Sequence, residues 1–309
     1  MYNNTMSNYA KHPDAEYVMP FLFNIGFFIT ALTEILKNET NPIKYVYGTL
    51  KSEWSGGRPS PMQINDIEQI EKYIEHLKEI NLTPTFTFTN LSLKKESLKD
   101  EFCNQLLDIG YKNKCHFITA SDILYNHIKS RYPDASMVCS VIIPSINFRN
   151  LFFNETKFYN KMLDKYEIVV VRPEWTLKNL DNISKIIKEP SRIEVLVNQS
   201  CAYDCPNVAR HYKIIGELEH GKITNQQYQK TWTNFCPNQT KPEKQRSLII
   251  DDDKIERLLA QGVKKIKLQG RTYPLNQMLF ELHRHFFRPE ITIEDVKKEM
   301  REIYQKSLG

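Results

Sequence analysis

From Tyr17 onward the chain alternates short apolar runs rich in β-forming residues with longer segments whose apolar residues recur at helical spacing, and this alternation restricts the fold more than any other feature. A strand covered on both faces reads as an apolar run, and a helix inserted between successive runs lets those strands lie parallel. The runs are Phe21 to Phe28, Tyr45 to Tyr47, Thr85 to Thr89, Phe117 to Thr119, Met137 to Ile143, Ile168 to Val171, Ile193 to Val197 and Lys265 to Leu268. Helical segments separate them. Ile64 to Ile80 carries Ile67, Ile70, Ile74 and Leu77 on one face, and Ser97 to Ile109, Ser121 to Arg131, Leu177 to Ile187 and Asp252 to Ala260 read similarly. Ser121 and Asp252 fit as N-caps, and Gly110 and Gly262 as C-terminal glycines. Eight strands with alternating helices predict an α/β fold, a single (β/α)8 barrel of the TIM type over residues 17–309. A doubly wound open sheet competes, because periodicity does not separate a closed sheet from an open one.

Two segments fall outside the alternation. Residues 1–16 are polar and without period, which predicts a flexible N-terminal arm. Residues 209–247 form an insertion between the seventh and eighth strands, far longer than a usual βα connection, and it contains a cysteine. In a barrel, the loops that follow strands gather on the catalytic face. Pro274 to Phe287 and Ile293 to Leu308 read as two closing helices.

The apolar run Val18 to Leu32 is interrupted by Pro20, Asn24, Gly26 and Thr30, so it predicts neither a membrane span nor a secretory signal. Six cysteines among 309 residues without a leader fit reduced thiols in a cytoplasmic protein. A formal net charge of +5, with both signs interspersed, permits a nucleic-acid partner without requiring one.

After the seventh strand comes Cys201-Ala202-Tyr203-Asp204-Cys205-Pro206, and the insertion adds Cys236-Pro237. Two thiols on a strand-to-helix turn, with a third from a long loop, form a soft donor set suited to an iron–sulfur cluster or to zinc, His211 or His220 then being the fourth zinc ligand. A radical S-adenosylmethionine motif needs a cysteine where Val208 stands. Cys103, Cys115 and Cys139 lie in helical or strand segments and read as packing, with Cys139 in reserve as a residue of the barrel interior. Arg58, Arg172, Arg210 and Arg271 fall in or near loops after strands, or beside the cysteines, and suit an anionic substrate such as RNA or a small carboxylate. Glu174 and Arg271 are the candidates for the chemical step. Trp54, Trp175, Tyr203 and His211 are candidates for stacking on a flat ring.

With these residues in place, the chain resembles the collagenase-like peptidase family, several of whose members are iron–sulfur proteins of RNA-base or ubiquinone hydroxylation. The resemblance rests on Glu194-Val195-Leu196-Val197 running to Cys201, then Cys205 and Cys236, and on Ala260-Gln261-Gly262 followed by Lys267-Leu268-Gln269-Gly270-Arg271. Weaker echoes are Tyr45-Val46-Tyr47-Gly48 with Gly57-Arg58, and Val171-Arg172-Pro173-Glu174. It implies a [4Fe–4S] cluster on Cys201, Cys205 and Cys236 and an oxidoreductase, a hydroxylase of an RNA base among the options. Ile250 stands where the family's fourth cysteine falls, so the resemblance implies one open iron, with an aspartate of the 251–253 run as a candidate ligand. A peptidase and a non-catalytic iron–sulfur or zinc subunit, working with a protein partner or as a homo-oligomer, are the alternative readings.

Overall fold

Pro20 has no N–H to donate to a ladder, and the first strand ends one residue before it. In the computed structural model, which describes residues 9–307 apart from 24–25, 37–40, 60–63, 65, 200 and 237–247, the barrel strands are β1 (Glu16–Met19), β2 (Ile43–Gly48), β3 (Thr83–Phe88), β4 (His116–Thr119), β5 (Ser136–Cys139), β6 (Ile168–Val171), β7 (Ile193–Leu196) and, after the small pair β8 (Asn198–Gln199) and β9 (Leu248–Ile249), β10 (Lys265–Lys267). The barrel is closed, in the order β1-β10-β7-β6-β5-β4-β3-β2 with every pairing parallel. The α/β barrel expected from the alternation is therefore the fold, and the open sheet is not.

The first strand is not Phe21 to Phe28. The ladder uses Glu16–Met19, ahead of that run, and the helix Gly26–Ile35 takes up the run's last residues. Met137 to Ile143 likewise divides into β5 and the helix Ile142–Asn147, and Leu177 to Ile187 into Pro173–Asn179 and Ile183–Ile186. Pro173 starts its helix, where its missing N–H is no loss. Asp251, not Asp252, caps the helix Asp252–Ala260 by accepting from Lys254 N. Gly262 follows that helix with φ +84°, as a C-terminal glycine does. Gly110 instead lies within the helix Glu101–Lys112, where a Cβ would come within 2.9 Å of the rings of Phe117 and Phe86. It lets that helix approach the sheet closely. Of the expected arm, residues 1–8 lie outside the described residues; Tyr9 and Ala10 are buried, and Ala10 bridges to Phe287.

The strands alternate in two senses. Outward residues such as Tyr17, Met19, Val169, Val171, Ile193 and Val195 join the core under the helices, while Val18, Tyr47, Ile118, Val138, Ile168 and Val170 form a separate apolar cluster inside the barrel. On the helix Ile67–Glu79, Ile70, Ile74 and Leu77 are the buried stripe, each worth about 1.5–3 kcal/mol of transfer free energy before chain entropy is counted. Three strands break the apolar rule. In the sequences TPTFTF, IEVL and KIK, apolar residues alternate with threonine, glutamate or lysine. Phe86, Phe88, Ile193, Val195 and Ile266 take the outer face, which turns Thr85, Thr87, Glu194, Lys265 and Lys267 to the interior. No helix among the described residues is long and apolar enough to cross a membrane.

Candidate active site

The polar interior leads to the carboxyl-terminal end of the strands. Lys267 Nζ and Glu194 Oε1 meet at 2.5 Å, both nearly inaccessible, and Lys267 also sits 3.8 Å from the centre of the Tyr47 ring. Burial lowers the Lys267 pKa, against the raising effect of Glu194. Above this pair opens a cavity of about 370 Å³. Its apolar floor includes Ile118, Val170 and Leu196; Thr87, Thr89 and Ser140 bring hydroxyls; and Arg58, Arg271 and Lys267 bring positive charge. Tyr47, Tyr212, Tyr273, His211 and Cys201 complete much of the lining. Among the described residues, the buried Thr87 Oγ1 has no hydrogen-bond partner.

Arg271 follows Gly270, whose φ of +144° belongs to glycine and whose missing Cβ would lie 2.3 Å from Met278 Cε. Burial pushes the Arg271 guanidinium down to about 10, with Arg58 adding to the shift. Two guanidinium groups that repel each other across a cavity favour an anion between them. Arg58 is itself in the left-handed region, φ 54°, after Gly57, where a Cβ would lie 2.3 Å from Ile215 Cγ2. The loop after β2 is thereby seated on the insertion.

That insertion is not an open loop. It holds two helices, Val208–Glu219 and Asn225–Phe235, the second opened by a capping box of Thr224 and Gln227. His211 packs on Trp232 with ring centroids 3.9 Å apart and planes tilted by 39°, and burial holds its imidazole down at about 3, in the neutral form. His220 Nε2 lies 3.1 Å from Asn90 Nδ2 and 3.0 Å from the Ser55 carbonyl, and its Nδ1 faces Glu53. Both ring nitrogens of His220 are thus directed at the loops after β2 and β3.

Cys201 and Cys205 are brought together. The Cys201 thiol donates to the Cys205 sulfur, and this bond is the largest cause that lowers Cys205 to about 6 and raises Cys201. The backbone at Asn207, which opens the helix Val208–Glu219, and Arg149 also favour a Cys205 thiolate. Cys236 follows the helix Asn225–Phe235 directly, and Asn207 Nδ2 donates to the Phe235 carbonyl at 2.7 Å, tying that helix end to the cysteine loop. Among the described residues no three histidine, cysteine or acidic side chains gather as a metal site. Two of the three expected thiols therefore meet, and the third is held nearby without joining them. In chemistry the pair fits a soft metal or cluster, and the buried Glu174 beside it, one oxygen of which has no hydrogen-bond partner among the described residues, opposes negative charge on both sulfurs.

The other expected residues divide. Arg58 and Arg271 face the cavity. Arg172 is 3 % exposed and bound by Glu155, Glu174 and Asp204, with Phe148 under its guanidinium at 3.8 Å. Arg210 lies exposed over the Phe235 ring. Trp54 and Trp175 are not surface stackers, because both are buried in the core and donate to Ser97 O and Thr156 Oγ1. Tyr203 is half exposed beneath Lys178. Cys103, Cys115 and Cys139 are buried, and Cys139 belongs to the outer core, not to the interior, because the adjacent Val138 takes the inward position. Ile250 is fully buried, its N–H donating to the Val197 carbonyl. Asp251 is engaged as a helix cap and Asp252 with Lys11. The sequence offers a signal for the lining residues Lys267 and Thr87, a charge or hydroxyl at every second position of an apolar strand, and none for Tyr212, which the helix Val208–Glu219 brings to the cavity.

The site is thus a cationic pocket at the mouth of a parallel β/α barrel, with a thiol pair at its rim. No family model matches the chain, and no curated protein matches it. Among solved structures it is similar in fold to the U32 peptidase Mk0906, at TM-score 0.52 and 10 % identity, covering 89 % of this chain and 96 % of that one. The chitinase ChiC from Aspergillus fumigatus matches at TM-score 0.45 and 10 % identity, over 87 % of this chain and 98 % of that one.

Proposed function

We propose that this chain is an oxidoreductase that binds an anionic substrate, RNA or a small carboxylate, at the barrel mouth and modifies it beside an iron–sulfur cluster held by Cys201, Cys205 and Cys236. The observation that carries the reading is the convergence of Arg58, Arg271 and the Cys201 thiol on one cavity. A bound cluster supplies electron transfer or, at an iron without a fourth thiolate, a Lewis-acid position. The two arginines orient the anion, the apolar floor keeps water from its buried part, and Glu174 is the carboxylate beside the sulfurs. Hydroxylation of the bound group is the finer form of this proposal.

Anaerobic purification followed by absorption spectroscopy and iron and sulfide analysis tests it. About four irons per chain with matching sulfide is the expected result, and loss of both in Cys201→Ala and Cys205→Ala. A colourless protein carrying one zinc sinks the cluster. A full cluster without turnover of RNA or of small carboxylates favours a partner-subunit role.

The second reading is a peptidase. Two observations favour it: the fold likeness to a protein described as a U32 peptidase, and a Cys205 thiol pushed down to about 6, hence largely thiolate at neutral pH. Peptide cleavage that survives removal of metal and is abolished in Cys205→Ala selects this reading over the first.

A further inference from the structure

Between the two thiols stands Asp204, a residue in the left-handed region at φ 46°. All four of its polar atoms are held. Its N–H donates to Glu174 Oε1 at 3.3 Å, and its carbonyl accepts from Arg149 Nη2 at 3.2 Å. Its carboxylate accepts from Arg172 Nη2 at 2.7 Å on one oxygen and from Lys178 Nζ at 3.3 Å on the other. Arg172 is in turn fixed by Glu155, by the Phe148 ring and by burial at the end of β6, while its own N–H donates to Tyr159 Oη.

We propose that Asp204 is a positioning residue, clamped by Arg172 and Lys178, that sets the loop Cys201–Cys205 in the conformation that presents both sulfurs to one soft ligand. The inference rests on the sulfur-site reading above and adds to it the device that holds the site. A turn of five residues carrying two thiols has many conformations in which the sulfurs diverge, and one anchor would leave most of them accessible. Four anchors on Asp204, the residue directly before the second thiol, leave very few. The anchors also come from two separate places, Glu174, Arg172 and Lys178 around β6 and its following helix, and Arg149 after the helix Ile142–Asn147. The cysteine loop is thereby set against the barrel, not only against its own strand. A conformation that side-chain-bearing residues seldom adopt persists where its surroundings over-determine it. Asparagine and glycine both tolerate φ 46°, so the backbone and side-chain contributions can be separated.

The test uses the full chain as Asp204→Gly, Asp204→Asn and Lys178→Met, with Co²⁺ alone as the probe. Glycine keeps the backbone conformation and both main-chain anchors while deleting the two carboxylate anchors. The clamp predicts that Asp204→Gly loses Co²⁺ affinity by about 10–100-fold, read from the sulfur-to-cobalt charge-transfer band, with Asp204→Asn and Lys178→Met in between. It also predicts faster amide hydrogen exchange across 201–207 in Asp204→Gly, at unchanged exchange elsewhere. Asp204→Gly exchanging and binding Co²⁺ like the parent overturns the clamp. Should the parent show no sulfur-to-cobalt band while exchange across 201–207 still rises in Asp204→Gly, the sulfur-site reading falls and the clamp on the loop stands.

Discussion

Glu194→Gln is the most informative single change inside the barrel, because it leaves Lys267 without its counter-charge. Lys267 and Glu194 are each under a tenth exposed and meet at 2.5 Å. Removing one partner of a buried pair costs about 3–5 kcal/mol, since the remaining charge stays desolvated. For a chain of this length a kcal/mol moves the melting temperature by roughly 2 °C, so a drop of about 6–10 °C is expected by differential scanning calorimetry at pH 7. The double variant Glu194→Gln/Lys267→Met recovers most of that loss, because it removes the orphaned charge. The pH dependence has a definite sign. Burial lowers the Lys267 pKa in the fold, so between that value and the unfolded value near ~10.4 the unfolded chain binds more protons, and stability contributed by this residue rises with pH. Loss of Glu194, which raises the Lys267 pKa, lowers it further, so the deficit of Glu194→Gln is largest below the variant's own folded pKa and shrinks as the pH climbs through it. A single variant melting with the parent, or a double variant no better than the single one, refutes the assignment of Lys267 as a buried, Glu194-dependent charge.

Arg271→Gln is expected to weaken binding of inorganic phosphate or malonate by roughly tenfold or more, the worth of one charge-assisted contact, measured by titration calorimetry. Arg210→Gln, outside the cavity lining, leaves that affinity in place, and equal loss in both variants counts against the cavity as the anion site. Gly270→Ala, which forces a Cβ onto Met278 and Tyr273 at φ +144°, should lower the melting temperature and the same affinity together; a neutral result contradicts the close packing. His285 is fully buried and held down at about 4, so it stays neutral in the fold while the unfolded chain takes up a proton near ~6.5. Its contribution is intact above that pH and is lost as the pH falls toward 4, about 3 kcal/mol in all, and His285→Leu should flatten the acid limb of the melting profile. An unchanged limb excludes His285 as its source.

The barrel was legible because buried parallel strands advertise themselves as apolar runs, and the helices between them as 3.6-residue stripes such as Ile70, Ile74 and Leu77. The boundaries were less so. Phe21 to Phe28 is as apolar as a strand, but helix residues packed on a barrel are apolar too, and only Pro20 marks where the ladder stops. The helix Glu155–Leu163 escaped notice, since its polar residues give a weaker stripe, with Tyr159 and Leu163 buried. The pairing of Cys201 with Cys205 could be read from their spacing. That Arg172 is taken up by three carboxylates could not, because Glu155, Glu174 and Asp204 are brought to it by tertiary structure.

The electrostatics of the sulfur rim bear on what it is built to hold. Glu174 is 3 % exposed, keeps one oxygen without a hydrogen bond among the described residues, and raises the pKa of both neighbouring thiols. An unsatisfied buried carboxylate oxygen costs on the order of 1–3 kcal/mol, and each further negative charge nearby adds to the cost. With a positive centre on the sulfurs the same three groups attract it together, and the signs reverse. The clamp on Asp204 matters for the same reason. Arg172 and Lys178 neutralise the one carboxylate that lies between the cysteines, which leaves Glu174 as the carboxylate that acts on both sulfurs. Glu174→Gln therefore separates the proposed functions: it should weaken cation binding at the thiols, yet make the Cys205 thiolate of a peptidase easier to form.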